Sequence, residues 1–169
     1  MRKKIIGFIM MLLLSVGVFA SYGHVGAEED QNMSVEEMIK YAIEDETFAR
    51  AEYVKIMETF NVDRPFSNIK RAEETHMSLL QPLIEKYDVK YDKLDESTLI
   101  IPNTLKETYE VGVQAEIDNI AMYDKFLEDE NLPTDVREVF IRLRDGSKHH
   151  LAAFQRQLTR YWGKNMSQL

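Results

Sequence analysis

Glu73 and His76 stand three residues apart in "RAEETHMSLL", on the same helical face as Ile69, Ala72, Leu79, Leu80 and Leu83. That spacing points a carboxylate and an imidazole into an apolar core. Three more ionisable residues repeat the anomaly. Glu46 falls between Ala42 and Ala49, Glu116 between Gly112 and Ile120, and His150 between Leu143 and Phe154, each on an apolar stripe. The adjacent His149 does not, and reads as a solvated position. Burying an unpaired carboxylate is costly, and three together also repel. A divalent cation removes both penalties by neutralising the charges and filling the lone pairs. Carboxylates with imidazole and no thiolate suit iron or manganese, and less distinctively zinc. The candidate ligands are therefore Glu46, Glu73, His76, Glu116 and His150. The alternative is a metal-free core in which Glu and His satisfy each other, for example Glu73 to His150.

Four helices must position these groups. Ser34 followed by Glu37 is a capping box, and Val35, Met38, Ile39, Ala42, Ala49, Tyr53, Met57 and Phe60 keep a helical period until "NVDRPF". A second helix is expected from about Ser67 to Asp88, with Pro82 as an interior kink. A third starts at Asn103 or Thr104 and ends near Glu130. A fourth is capped by Thr134 and reaches about Tyr161. Each ionisable candidate sits near the middle of its helix, so all five share one level. Strand signals are nearly absent, and the β-like "STLIIP" lies in a connection. Helices one and two, and three and four, are joined by short loops, which makes them antiparallel neighbours. A helix over 104–130 is about 40 Å long, and the connection over 89–103 can span roughly 50 Å when extended. That segment can run the length of a bundle. The expected fold is all-α: a four-helix bundle with one long crossover between helices two and three, the ferritin-like arrangement.

The N-terminus separates by composition. Basic "MRKK" precedes the apolar run "IIGFIMMLLLSVGVFA", then small residues, then acidic "EED". This is the order of a secretory signal peptide. The expected division is a signal peptide over 1–27, cleaved after Ala27 or alternatively after Ala20. An acidic linker over 28–33, the bundle over 34–162 and a tail over 163–169 follow. The run is short for a membrane span, so a membrane association is expected only if it stays uncleaved. Removing 1–27 takes Arg2, Lys3 and Lys4 and no acid, so the formal charge of −8 becomes more negative by three. Such a chain is repelled by phosphate backbones, which argues against nucleic acid as a partner. With 169 residues and no cysteine, the chain fits one domain without disulfide or thiolate metal site.

"ETFARAEY", "FSNIKRAEETHMSLL", "VGVQAEIDNIAMYD" and "GSKHHLAAFQRQL" together resemble the ferritin-like family called domain of unknown function 2202, over about residues 36–160. "ETFARAEY" more distantly resembles the first-helix glutamate segment of rubrerythrins. The resemblance implies that Glu46, Glu73, His76, Glu116 and His150 are the metal-site residues. The wider superfamily implies iron oxidation, peroxide destruction or oxygen activation. The chain departs from that pattern at two positions. Ser147 stands where di-iron bundles place a second Glu before histidine, and Asn119 stands where rubrerythrins offer a further carboxylate. The set is one carboxylate short, so one ion or an asymmetric pair are both open. Asp145 is off the stripe and a weak substitute.

The remaining readings are plainer. The methionines are scattered and read as core filler rather than a copper site. Tyr53 and Tyr123 lie on core stripes near the layer, as packing or as electron relays. Gly112 and Gly146 allow close helix approach, or room for a small ligand. The expected function is an extracytoplasmic, secreted or envelope metal-binding protein. It would hold one or two iron ions, alternatively manganese or zinc, and act as a ferroxidase or peroxidase-like oxidoreductase on oxygen or peroxide. The alternative is a non-catalytic envelope scaffold or metal buffer on the same bundle. A homodimer is left open.

Overall fold

A computed structural model describes residues 23–30 and 32–166. Among them are five α-helices and no strand: α1 (Gly23–Glu29), α2 (Val35–Phe60), α3 (Phe66–Lys86), α4 (Leu105–Leu127) and α5 (Thr134–Met166). Local chemistry sets the boundaries. Ser34 accepts from the Glu37 amide while Glu37 reaches back to the Ser34 amide, and Thr104 and Glu107 do the same for α4. Asn61, in the left-handed conformation, ends α2. Pro82 lies inside α3, which runs on to Lys86.

Two helix ends fall elsewhere than the periodicity suggests. α4 stops at Leu127, before Glu130, because the turn over 128–133 supplies its own partners. The Arg137 guanidinium donates to the carbonyls of Leu127 and Asp129, and the Asp129 carboxylate accepts from the Asn131 amide. α5 continues past Tyr161 to Met166. Of the expected signal segment, residues 1–22 lie outside the described residues. Residues 23–29, which include its proposed end, form α1, with Gly23, Gly26 and Ala27 buried. The "STLIIP" stretch forms no strand, and a 3-10 turn occupies Glu96–Thr98.

The four long helices form a helical bundle of two hairpins, α2 with α3 and α4 with α5, and α1 packs on α2 and α4. Phe66 at the start of α3 stacks on Tyr109 near the start of α4, with centroids 5.6 Å apart and planes 9° apart. Lys86, at the end of α3, pairs instead with Asp135 at the start of α5, 2.6 Å away. The starts of α3 and α4 therefore share one end of the bundle, and residues 87–104 travel its length. Two apolar clusters fill the interior. One holds Ile39, Ile43, Leu80, Phe126, Phe140 and Leu143; the other holds Tyr53, Ile56, Phe66, Ile69, Tyr109 and Phe154. The buried polar layer lies between them. No helix among the described residues is long and apolar enough to cross a membrane.

Candidate metal centre

All five expected ligands are buried in that layer, each 6% exposed or less. α2 supplies Glu46, α3 supplies Glu73 and His76, α4 supplies Glu116, and α5 supplies His150. They form two overlapping sets. In one, Glu46, Glu73 and His76 bring ligand atoms within 4.8 Å of one another; in the other, Glu73, Glu116 and His150 do the same. Glu73 belongs to both, one oxygen serving each side. Its Oε2 is 3.0 Å from His76 Nδ1, and its Oε1 is 3.1 Å from His150 Nδ1. The imidazoles lie face to face, with centroids 5.6 Å apart and planes 30° apart.

The two histidines are held differently. His76 Nδ1 is hydrogen-bonded to both Glu46 Oε2, at 2.9 Å, and Glu73 Oε2. Its far edge rests on the backbone of Gly146, where an added Cβ would overlap Nε2. Gly146 is therefore a seat for this ring, not space for a further ligand. His150 Nδ1 has carboxylate oxygens at 3.1 Å and 3.5 Å, close enough for ion pairing, yet no aligned hydrogen-bond partner. A fully buried nitrogen with anionic oxygens around it and no aligned bond fits a ligand that awaits a cation.

Two tyrosines brace the carboxylates across the bundle. Tyr53 of α2 donates to Glu116 Oε1 of α4 at 2.9 Å, and Tyr123 of α4 donates to Glu46 Oε1 of α2 at 2.6 Å. The exchange is reciprocal because each tyrosine follows its own helix's glutamate by seven residues, two helical turns on the same face. That repeated Glu-to-Tyr spacing was the sequence signal for their polar role, and a packing assignment overlooks it.

The electrostatics follow from burial. Desolvation pushes the Glu46 carboxyl well above its usual range, with the Glu73 charge adding to it, and raises Glu116 as well. Burial would raise Glu73 too, but the imidazoles of His150 and His76 beside it outweigh that and hold it low. Burial opposes charge on the imidazoles; Glu46 and Glu73 nevertheless lift His76 to about 9, and Glu116 and Glu73 lift His150 to about 10. Desolvation beside Glu116 and Glu46 raises the Tyr53 and Tyr123 phenols. Without an ion the layer thus favours protons on its imidazoles and on the Glu46 carboxyl, with Glu73 as the carboxylate they face. A bound cation would displace those protons, since imidazole ligates in its neutral form.

The departing positions have partners of their own. Ser147 Oγ donates to Asn119 Oδ1 at 2.5 Å, and Asn119 Nδ2 donates to Asp45 Oδ2. Asp45 then meets His24 of α1, whose Nδ1 is 2.5 Å from Oδ1. The sequence reading missed Asp45 and His24. Adjacency to Glu46 was the only hint for Asp45, and His24 lay in a segment assigned to the signal peptide. Asp145 does not join the centre; it is exposed and pairs with Lys148 and Arg144. His149 is exposed as well. A small cleft of about 20 Å³ reaches the centre, lined by Asp45, Glu46, Tyr53, Glu73, Glu116 and Asn119 together with Ala49, Ala115 and Ser147.

A family model described as an uncharacterized protein domain (DUF2202) matches residues 35–168. The chain is 28% identical over 134 residues to uncharacterized protein MJ0754 of Methanocaldococcus jannaschii, covering 70% of this chain and 71% of that protein. It also superposes on the crystal structure of hypothetical protein MJ0754 from Methanococcus jannaschii. That match has a TM-score of 0.65 and 26% identity, and covers 78% of this chain and 85% of the other.

Proposed function

This chain belongs to the family of uncharacterized domains DUF2202, and from that premise and the geometry of its core we propose a ferritin-like metal-binding protein with a carboxylate–histidine centre. The observation that carries the reading is the pair of donor sets sharing Glu73. Three buried carboxylates and two imidazoles suit iron, or alternatively manganese or zinc. A shared carboxylate with one oxygen toward each set favours two ions over one. The long connection over 87–104 between parallel α3 and α4 supports the ferritin-like arrangement.

Iron held there would supply one-electron chemistry toward oxygen or peroxide, making the protein a ferroxidase or peroxidase-like oxidoreductase. The chain's own part is to hold and release charge. Glu73 would serve both donor sets; Glu46 and Glu116, each held by a tyrosine hydroxyl, would complete one side each; and His76 and His150 would bind as neutral imidazoles. The apolar clusters on both sides keep bulk water out of the layer. The expected setting is outside the cytoplasm, after export by the N-terminal segment. Processing after Ala20 keeps α1, and processing after Ala27 removes it.

Anaerobic titration with ferrous iron, followed by oxygen or peroxide, tests this reading. Two ions per chain and a near-ultraviolet ferric band on oxidation are expected. Absence of binding for iron, manganese and zinc alike would eliminate it. A second reading, a metal-free scaffold, has one specific support: His76 already bonds two carboxylates without any ion. Ion binding that stabilises the fold but never changes oxidation state would favour a scaffold or metal buffer.

A further inference from the structure

Asp45 lies at the junction of three helices. From α2 it reaches Asn119 of α4 on one side and His24 of α1 on the other, and it also lines the cleft to the carboxylate centre. α2 and α4 touch each other little over their whole lengths, and the short side chains of Ala49 and Ala115 line the cleft. α1 lies across both helices at this level.

Its attachment is specific at each end. At the start, the Gly23 amide donates to Glu44 Oε2 at 3.3 Å, and the His24 amide donates to Asp45 Oδ1 at 3.0 Å. Gly23 has φ of +54°, and a Cβ there would sit 2.7 Å from Asp45 Oδ1, so only glycine lets the chain approach Asp45 this closely. At the other end, Lys125 of α4 donates to the carbonyls of Ala27 and Asp30, both at 2.6 Å, which satisfies the end of a helix too short to hold itself. Ala27, between these ties, is 1% exposed. A helix of this length has no stability of its own, so its place depends on His24 and Lys125.

We propose that α1 is a strap across the α2–α4 groove, closing one end of the cleft to the carboxylate centre, with the His24–Asp45 contact as its clasp. The proposal rests on the metal reading of that centre and on processing after Ala20, which keeps α1, and adds the route and its control. With α1 seated, Asp45, the cleft residue next to Glu46, is occupied by His24 and Asn119. With α1 lifted, Asp45 faces the groove as the first carboxylate an entering divalent cation meets, one residue from the ligand Glu46. Ions then enter only from the lifted state, so uptake scales with its population.

Two variants, His24→Ala and Lys125→Ala, loosen opposite ends of α1 and leave all five ligands intact. Stopped-flow cobalt uptake and amide hydrogen exchange are read on the full chain. Both variants are expected to speed association about tenfold, leave the number of ions bound unchanged, and raise exchange over residues 23–30. An unchanged rate in both would overturn the strap. So would acceleration in His24→Ala alone, which would trace the effect to the freed Asp45 charge and not to α1. If the intact chain takes up no cobalt, iron or zinc, the metal reading fails separately, and exchange decides the strap. Loss of protection over 45–49 in both variants upholds the closure, and unchanged protection there refutes it.

Discussion

On the α3 side of the centre, His76 is locked: two carboxylates bond its Nδ1 and the Gly146 backbone supports its other edge. On the α5 side, His150 stands among carboxylate oxygens without an aligned bond. The two sides share Glu73 and have reciprocal tyrosine braces, so the donor chemistry is nearly the same. The difference lies in how much of each side is already satisfied. One side is organised by the protein alone, and the other keeps a donor free. The layer is thus asymmetric in its own side chains, although its helices are arranged as two like hairpins.

Glu73→Ala should have the largest effect, because it removes the one group common to both sides. Ion uptake is expected to vanish on both, and stability should fall by about 3–5 kcal/mol, the cost of breaking a buried charge pair. Metal analysis and denaturant unfolding read the two effects. Retention of one ion would show that the sides do not depend on a common bridge.

Gly146→Ala sharpens the comparison without altering a ligand. Its methyl group displaces the His76 ring, while His150 and Glu116 keep their places. Zinc stoichiometry by equilibrium dialysis is expected to fall from two ions per chain to one, and His150→Ala should leave the opposite single ion. Two zinc ions in Gly146→Ala would mean that α5 yields and the ring stays.

The tyrosine braces give the smallest differences. Tyr123→Phe and Tyr53→Phe each remove one hydrogen bond to a buried carboxyl, expected to cost about 1–3 kcal/mol. Tyr123→Phe should cost more, since its bond is shorter, 2.6 Å against 2.9 Å. Paired unfolding curves without metal provide the check, and equal midpoints would remove this part of the asymmetry.

The helices were readable because their signals are local. The Ser34–Glu37 capping box, the turn at "NVDRPF" and the apolar period placed α2 without tertiary information. The five ionisable residues were readable for a related reason: a charge on an apolar stripe conflicts with its surroundings, and the conflict is visible in one dimension. α1 was not readable. Its seven residues have no period, and what holds them is Asp45 and Lys125, far along the chain. The roles of Asn119 and Ser147 were hidden likewise, since each is explained by the other across two helices. The end of α4 depends on Arg137 reaching back from α5, a contact the local sequence does not announce.

The connection over 87–104 divides the donors unequally. The hairpin before it carries Glu46, Glu73 and His76, and the hairpin after it carries only Glu116 and His150. Were the chain severed there, the first piece would own one complete triad and the second none. A metal ion would then act as mortar between two separately made bricks, its second berth existing only once both pieces had found each other.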